Sequence, residues 1–130
     1  MTIILGQRSL SRLEGVHPDL VRVVKKAALL SDLDFTVLEG LRTVERQKQL
    51  VAQGASRTMN SRHITGHAVD LAPMIGGEVS WAWPQYHRLA KIVMSAAADE
   101  KVPLVWGGSW RTFRDGPHWE LPWKFYPKEK

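Results

Sequence analysis

Hydrophobic positions recur at helical spacing in three stretches of the chain, each flanked by residues that start or stop helices. Residues 18–30 place apolar side chains three and four positions apart, with Pro18 in the first turn, where proline is tolerated. Thr43 can cap a second helix over residues 44–53, and a third apolar stripe follows a later proline. The pattern therefore predicts helices over residues 18–30, 44–53 and 84–100.

Short segments rich in β-branched and aromatic residues lie between these helices, as is typical of strands. In HAVDLAP the side chains of Ala68 and Asp70 share one face of the predicted strand. Gly76 and Gly77 form a hairpin signal. The predicted strands are residues 34–40, 67–73, 78–81, 103–106 and 118–121. The fold class predicted is α+β, with about three helices on a small, largely antiparallel sheet.

Length and composition limit the kind of protein. The 130 residues contain no repeat or linker, which predicts a single domain over residues 1–130 with a basic tail at residues 122–130. Cysteine is absent, which excludes disulfides, thiolate metal sites and cysteine nucleophiles. No apolar run approaches the ~20 residues of a membrane span, and the N-terminal residues lack the pattern of a secretory signal. We therefore expect neither stable membrane insertion nor a signal peptide.

The charge balance is basic. Eighteen Lys and Arg against thirteen Asp and Glu give a net charge of +5, which favours anionic partners. The basic residues are scattered, however, and the densest cluster, KFYPKEK, also contains a glutamate. Scattered cations indicate a solvated surface, so we expect no nucleic-acid partner.

Two of the five histidines lie just before Asp70, in the segment SRHITGHAVD. His63 and His67 have the spacing of the HExxH zinc helix. Ile64 stands where that motif needs its general-base glutamate, and Gly66 disfavours a helix. The HExxH interpretation is therefore rejected, and His67 has no predicted ligand role.

A different set of three residues suits a zinc ion better. His63 and Asp70 are seven residues apart, which would place them on opposite faces of a regular strand, but Gly66 permits a bend between them. His118 in DGPHWEL is the candidate third ligand. Two imidazoles and one carboxylate would meet the need of a catalytic zinc for three protein ligands and one open position.

Zinc-dependent hydrolysis also needs a carboxylate that carries a proton without binding the metal. Asp115 lies three residues before His118, across the turn at Gly116, although an Asp-Gly pair can also be only a turn. Glu120 shares the strand parity of His118 and is the alternative. The residues alone leave both open.

Further side chains are candidates for substrate contact. Arg42 lies between a predicted strand and a predicted helix, where its guanidinium could form a bidentate anion site. Most of the six tryptophans are expected to be structural. Trp106 and Trp110, in the loop before Asp115, are the best candidates for lining a groove.

Several motifs, in this order, resemble a known peptidase family. GLRTVERQ resembles the family segment that carries an arginine and a glutamine, here Arg42 and Gln47. SRHITGHAVD fits the pattern Ser-x-His-x-x-Gly-x-Ala-x-Asp, and DGPHW fits the acid-x-x-His motif that follows it. Together they are similar to the zinc D-Ala-D-Ala carboxypeptidases and the phage L-alanyl-D-glutamate endopeptidases. LEGVHPDLVRVV and WGGSW resemble the phage endolysin branch, and the resemblance covers roughly residues 6–121.

The resemblance implies a Hedgehog/D-Ala-D-Ala-peptidase-like fold with the zinc site at the sheet. It implies one zinc ion per chain and a set of site residues. These are His63, Asp70 and His118 as ligands, Asp115 as base where many relatives carry glutamate, Arg42 for a substrate carboxylate or oxyanion, and Ser61 and Gln47 at the substrate.

The resulting functional hypothesis is a phage-type endolysin. It would use a metal-activated water to cut the L-alanyl-D-glutamate bond of the peptidoglycan stem peptide. It would act as a monomer, remain in the host cytoplasm until lysis, and then reach the periplasm and cell wall.

Two alternatives stay open beside it. A D-Ala-D-Ala carboxypeptidase could share the metal site, and the shapes of loops would distinguish the two. A non-catalytic zinc module that only binds the wall is the alternative from another class, and Asp115 and Arg42 argue against it.

Overall fold

The computed structural model describes residues 3–56, 59, 61–111 and 114–127. Its helices are α1 (Gln7–Arg12), α2 (Pro18–Leu30), α3 (Val44–Ala52) and α4 (Trp83–Glu100), and a 3-10 turn spans Gly107–Ser109. Its strands are β1 (Phe35–Glu39), β2 (Ala68–Ile75), β3 (Glu78–Val79), β4 (Val105–Trp106) and β5 (His118–Glu120). The architecture is α+β, as the hydrophobic pattern predicts.

The strands form an antiparallel sheet in the order β1-β2-β5-β4, and β3 extends β2 as a hairpin. Strand β2 is central, with β1 on one side and β5 on the other. Its residues Ala68–Asp70 pair with β5 and its residues Asp70–Pro73 pair with β1, so Asp70 is paired on both sides. The sheet thus provides a rigid support for any side chain that β2 presents.

The core lies between the sheet and the packed helices α2 and α4. The predicted apolar stripes form it: Leu20, Val23 and Val24 on α2 and Leu89 and Val93 on α4 are almost completely buried. The hydrophobic cluster of the described residues includes side chains from α2, from α4 and from strands β1, β2 and β5, together with Leu13 and Val16, which follow α1. Among the described residues, no helix is both long and apolar enough to cross a membrane.

The helix count differs from the sequence-based expectation of about three. Helix α1, Gln7–Arg12, was not predicted because six residues are too short to show a helical period. It packs on β1, where Ser9 is buried and its hydroxyl oxygen accepts a hydrogen bond from the amide of Val37 at 3.0 Å. Tertiary contacts therefore stabilise a helix that local propensity alone does not specify.

The predicted helix ends agree with the structure to within one or two residues. The Thr43 hydroxyl oxygen accepts a hydrogen bond from the Arg46 amide at 3.0 Å, which confirms the predicted cap of α3. Helix α4 begins at Trp83 instead of Pro84 and ends at Glu100, and Lys101, which follows it, has a left-handed conformation. Such differences are ordinary for helix termini.

The segment after β5 is tied back to the body of the protein. The buried Arg62 guanidinium donates hydrogen bonds to the carbonyl oxygens of Leu121 at 2.9 Å and Tyr126 at 2.5 Å, and it lies 4.1 Å from the ring centre of Trp123. The Tyr126 hydroxyl donates to an oxygen of Asp19 at 2.6 Å. The predicted basic tail is therefore anchored as far as Tyr126. Residues 128–130 lie outside the described part of the chain.

Candidate metal centre

A turn immediately before β2 positions His63. Gly66 in this turn has φ of 79°, a left-handed conformation that suits glycine, and a Cβ atom there would overlap the carbonyl oxygen of Gly15. The His17 amide donates to the Gly66 carbonyl oxygen at 2.8 Å, which fixes the turn against the N-terminal part of the chain. The predicted bend is thus present, and it places His63 outside the regular strand.

His63, Asp70 and His118 come together at one point, as the sequence predicts. Asp70 Oδ1 lies 3.1 Å from His63 Nε2 and 3.5 Å from His118 Nδ1, and one ligand atom from each residue lies within 4.8 Å of the others. Asp70 and His118 are directly opposite each other in the β2–β5 pair. Both imidazoles are more than nine-tenths buried.

The remaining ring nitrogens have partners that fix the orientation of each imidazole. His63 Nδ1 lies 2.8 Å from the carbonyl oxygen of Gly40, and His118 Nε2 lies 2.7 Å from Glu120 Oε1. Both acceptors favour a proton on the nitrogen that faces them. In the neutral forms that bind a metal, His63 Nε2 and His118 Nδ1 therefore direct their lone pairs towards Asp70, which is the usual arrangement behind histidine ligands of metals.

The electrostatics of the cluster favour a cation. Burial alone would raise the pKa of Asp70, but the neighbouring His63 and His118 hold it well below the usual range of a carboxyl. Burial likewise opposes the charge on His118, yet hydrogen bonds to Asp70 and Glu120 raise its pKa to about 9. The pocket thus stabilises positive charge between the imidazoles and the carboxylate. Two nitrogen donors and one oxygen donor fit zinc better than magnesium or calcium, which prefer oxygen ligands.

A tight loop places Asp115 beside the cluster of His63, Asp70 and His118, but Asp115 is not one of the three candidate ligands. The Asp115 amide donates to the Gly107 carbonyl oxygen at 3.1 Å, and the His118 amide donates to the Asp115 carbonyl oxygen at 3.2 Å. A side chain at Gly107 would collide with both Asp115 and His118. Burial and the negative charge of Asp70 raise the pKa of Asp115. A carboxylate held close to the cluster in this way has the properties of a general base.

Glu120 occupies the opposite side of His118. Its Oε1 accepts from Nε2, whereas the ligand nitrogen Nδ1 faces Asp70. This carboxylate therefore supports the imidazole from behind. His118 and Glu120 do lie on the same face of β5, as their spacing predicts. Their side chains contact each other and do not converge on the candidate metal position.

Arg42 is almost buried, and other side chains occupy its guanidinium. Its Nε and Nη2 donate to the two oxygens of Glu39 at 3.0 and 2.7 Å, and Nη1 donates to Gln47 Oε1 at 2.7 Å. Nη2 also lies 3.6 Å from Asp70 Oδ2. The structure therefore brings Arg42 to the site, at the outer oxygen of Asp70.

The comparisons with known proteins bear directly on this site. A family model described as phage L-alanyl-D-glutamate peptidase matches residues 1–122, almost the whole chain. The chain belongs to this family. The resemblance inferred from the sequence motifs is thereby confirmed.

Individual members of the family show the same likeness. The chain is 34% identical over 119 residues to the L-alanyl-D-glutamate peptidase of Escherichia phage T5, covering 88% of this chain and 87% of that protein. It is 30% identical over 129 residues to the peptidase of the same name from Listeria phage A118, covering 97% of this chain and 45% of the relative. The crystal structure of the Serratia marcescens L-Ala D-Glu endopeptidase ChiX superposes with a TM-score of 0.88 at 48% identity, over 93% of this chain and 91% of that one.

The other predicted site residues of this family member lie around the cluster. The Ser61 hydroxyl oxygen accepts a hydrogen bond from the His63 amide at 3.2 Å, and Gln47 is completely buried against Arg42. The Trp110 ring lies 5.1 Å from the His118 ring, at the rim of the site. Trp106 stacks on another tryptophan, and its indole nitrogen donates to the Gly116 carbonyl oxygen at 2.7 Å, so it braces the Asp115 loop.

Three residues at or near the cluster have contacts that the sequence did not predict. Glu39 forms an ion pair with Arg42. The sequence indicates this pair only by a carboxylate three positions before an arginine at the end of a predicted strand. Glu120 contacts His118 Nε2, the ring nitrogen that faces away from Asp70. Arg62, next to His63, is buried with the C-terminal segment, and nothing in the local pattern indicates that role.

Proposed function

We propose that the protein is a zinc-dependent endopeptidase that hydrolyses the bond between L-alanine and D-glutamate in peptidoglycan stem peptides. The observation that carries the proposal is the arrangement of two imidazoles and one carboxylate around a single point, with a further carboxylate beside them, in a chain of this peptidase family. Binding without cleavage would not need that further carboxylate.

His63, Asp70 and His118 would hold the metal. Bound zinc supplies a Lewis acid for the scissile carbonyl and a water acidic enough to be a nucleophile near neutral pH. The protein presents Nε2 of His63 and Nδ1 of His118, each oriented by a hydrogen bond from its other nitrogen. The buried surroundings limit competing water and strengthen every charge interaction at the site.

Asp115 is the proposed proton carrier. Its carboxylate takes a proton from the attacking water and gives that proton to the nitrogen of D-glutamate as the amide bond breaks. The raised pKa of Asp115 suits both steps, because a stronger base accepts the proton more readily and a neutral carboxyl can then donate it.

Arg42 is proposed to act through its charge. That charge lowers the pKa of Asp115, against the effect of burial, and it lies beside Asp70, so it reaches the region where negative charge develops during the reaction. If Arg42 bound a substrate carboxylate directly, Glu39 would first have to leave the guanidinium group of Arg42. Ser61 and Gln47 are proposed to support this region, with Trp110 and Trp106 forming one wall of the groove.

The proposal extends to the place of action. Peptidoglycan is the substrate, so the enzyme acts at the cell wall. We propose that it is a single domain acting as a monomer and that it stays in the host cytoplasm until lysis. Fractionation of infected cells before and after lysis, together with light scattering of the purified protein, tests these points.

Digestion of purified sacculi is the decisive experiment. The zinc-loaded protein should release peptides with a new N-terminal glutamate and leave alanine as the new C-terminus on the glycan side, as identified by mass spectrometry. A strong chelator should abolish the release, and added zinc should restore it. Release of free D-alanine alone would instead assign a carboxypeptidase, and a folded, zinc-loaded protein that binds sacculi without cleaving them would be a wall-binding module.

A further inference from the structure

Glu39 reaches the metal site because of an irregularity in strand β1. The β1–β2 register is regular from Phe35 to Val37 and then shifts, so that Glu39 lies opposite Asp70. Without the extra residue, Leu38 would be in that position. Bulges of this kind redirect side chains and are frequent next to functional sites.

This register brings two carboxylates together beside the histidines. Neighbouring like charges repel each other, and the Arg42 guanidinium removes the conflict by contacting both. It binds both oxygens of Glu39 at 3.0 and 2.7 Å, and it lies 3.6 Å from Asp70 Oδ2. The Arg42 side chain is 8% exposed, so these contacts are only weakly screened by solvent.

The two oxygens of Asp70 therefore have different surroundings. Oδ1 faces His63 Nε2 and His118 Nδ1, whereas Oδ2 faces Arg42. A carboxylate held in this way offers one oxygen to a metal. Single-oxygen binding by the carboxylate preserves the open position that a catalytic site requires.

We propose that Glu39 is a positioning residue of the metal site, which fixes the Arg42 guanidinium against the outer oxygen of Asp70. The proposal rests on the metal-dependent function described above. Glu39 does not contact substrate in this role. Its contribution passes through Arg42 to the orientation of Asp70, so it should be visible in metal binding before any substrate is added.

A different role for Glu39, as an occupant of a substrate-binding site, would change KM and not metal affinity. If the Arg42 fork were a binding site for a substrate carboxylate that Glu39 occupies in the free enzyme, neutralising Glu39 would free the fork. KM would then fall and metal affinity would be unchanged. The sign of the effect on each quantity separates the two roles.

The test is the Glu39→Gln variant, which keeps the size of the side chain and removes its charge. We expect the zinc dissociation constant, measured by competition with a chromophoric chelator, to rise about 10–100-fold, as is typical when a partner of a ligand is lost. At saturating zinc, KM should stay close to that of the wild type. Glu45→Gln is the matched control, because Glu45 is exposed on α3 and forms no ion pair among the described residues.

A double-mutant cycle shows whether Glu39 acts through Arg42. In an Arg42→Gln background, the additional change Glu39→Gln should have little further effect on zinc affinity, since the link is already broken. This neutral pair also avoids an unpaired charge, so it remains informative if Glu39→Gln alone folds poorly. Losses of zinc affinity that add up in the double variant would overturn the proposal. So would an unchanged zinc affinity in Glu39→Gln, whether or not its KM is lower. Cleavage of peptidoglycan by the wild type is measured separately, because it tests the proposed function and not the role of Glu39.

Discussion

Asp70 and His118 face each other across the β2–β5 pair, with Asp70 Oδ1 and His118 Nδ1 3.5 Å apart. Two of the three candidate ligands are thus positioned by the register of a sheet, and His63 is positioned by a glycine turn. The two kinds of support predict different sensitivities to mutation.

Each candidate ligand should be necessary for metal binding. Replacing His63, Asp70 or His118 by alanine should remove most of the zinc and nearly all activity, because a site with two ligands loses most of its affinity. Elemental analysis of purified variants measures this directly. His87→Ala, an exposed histidine on α4, should retain one zinc per chain. A full complement of zinc in His118→Ala would refute the assignment.

Asp115 and Glu120 should give different defects. Asp115→Asn should bind zinc normally and lose ~10²–10⁴-fold in kcat, the range for a general acid–base group. Glu120→Gln should weaken zinc binding by about 10–100-fold and should be largely active at saturating zinc, because it supports His118 from behind. Steady-state kinetics over a zinc titration compares the two. A larger kcat defect in the Glu120 variant would reverse the assigned roles.

Arg42 should be sensitive even to a change that keeps its charge. Arg42→Lys cannot bind both oxygens of Glu39 and also reach Gln47, so kcat/KM should fall clearly. Arg42→Ala also leaves two carboxylates without their shared partner, which should lower the free energy of unfolding by roughly 1–3 kcal/mol. Urea denaturation and kinetics on a defined muropeptide measure both effects. Wild-type values for the lysine variant would show that the fork is dispensable.

The zinc-free protein should lose stability as pH rises through the alkaline range. The pKa of His118 is raised from 6.5 to about 9 by Asp70 and Glu120, against the effect of burial. A group whose pKa is higher in the folded state than in the unfolded state stabilises the fold fully at pH values below the unfolded-state pKa. This stabilisation is lost as the pH rises through the folded-state pKa. Stability from this source should therefore decline between about pH 6.5 and 9. Zinc should reverse the trend, because metal competes with the proton.

Thermal melts of the zinc-free and zinc-saturated protein across this range test the prediction. Glu120→Gln should move the decline to lower pH, since one of the partners that raise the pKa is lost. A flat profile for the zinc-free protein would contradict the assigned coupling.

Gly66 should tolerate no side chain. Gly66→Ala combines a left-handed backbone, which costs ~1–2 kcal/mol for an alanine, with an overlap against the Gly15 carbonyl oxygen. Gly77→Ala is the matched control, because Gly77 has φ of 83° but open space around it. The Gly66 variant should lose more stability than the control and should also lose zinc affinity through displacement of His63. Equal losses would show that the contact with Gly15 is unimportant.

Local patterns in the sequence were enough to predict the main elements and the three candidate ligands that the fold brings together. Apolar spacing predicts α2, α3 and α4, and Gly66 predicts the bend that brings His63 to Asp70. The partners of Arg42 were not predictable, because Glu39 meets Asp70 only through a register shift between two strands. The contact between Glu120 and His118 was likewise not predictable, because strand parity does not contain the direction of the His118 ring.

The bonds of Arg62 to the segment after β5 have a mechanical consequence. Arg62 is adjacent to His63 in sequence, and its guanidinium holds the carbonyl oxygens of Leu121 and Tyr126. A pulling force applied at the C-terminal side would therefore be transmitted to the turn that carries a metal ligand. Cargo domains fused there should be joined through a flexible spacer placed beyond Tyr126, so that their drag is not borne by this connection.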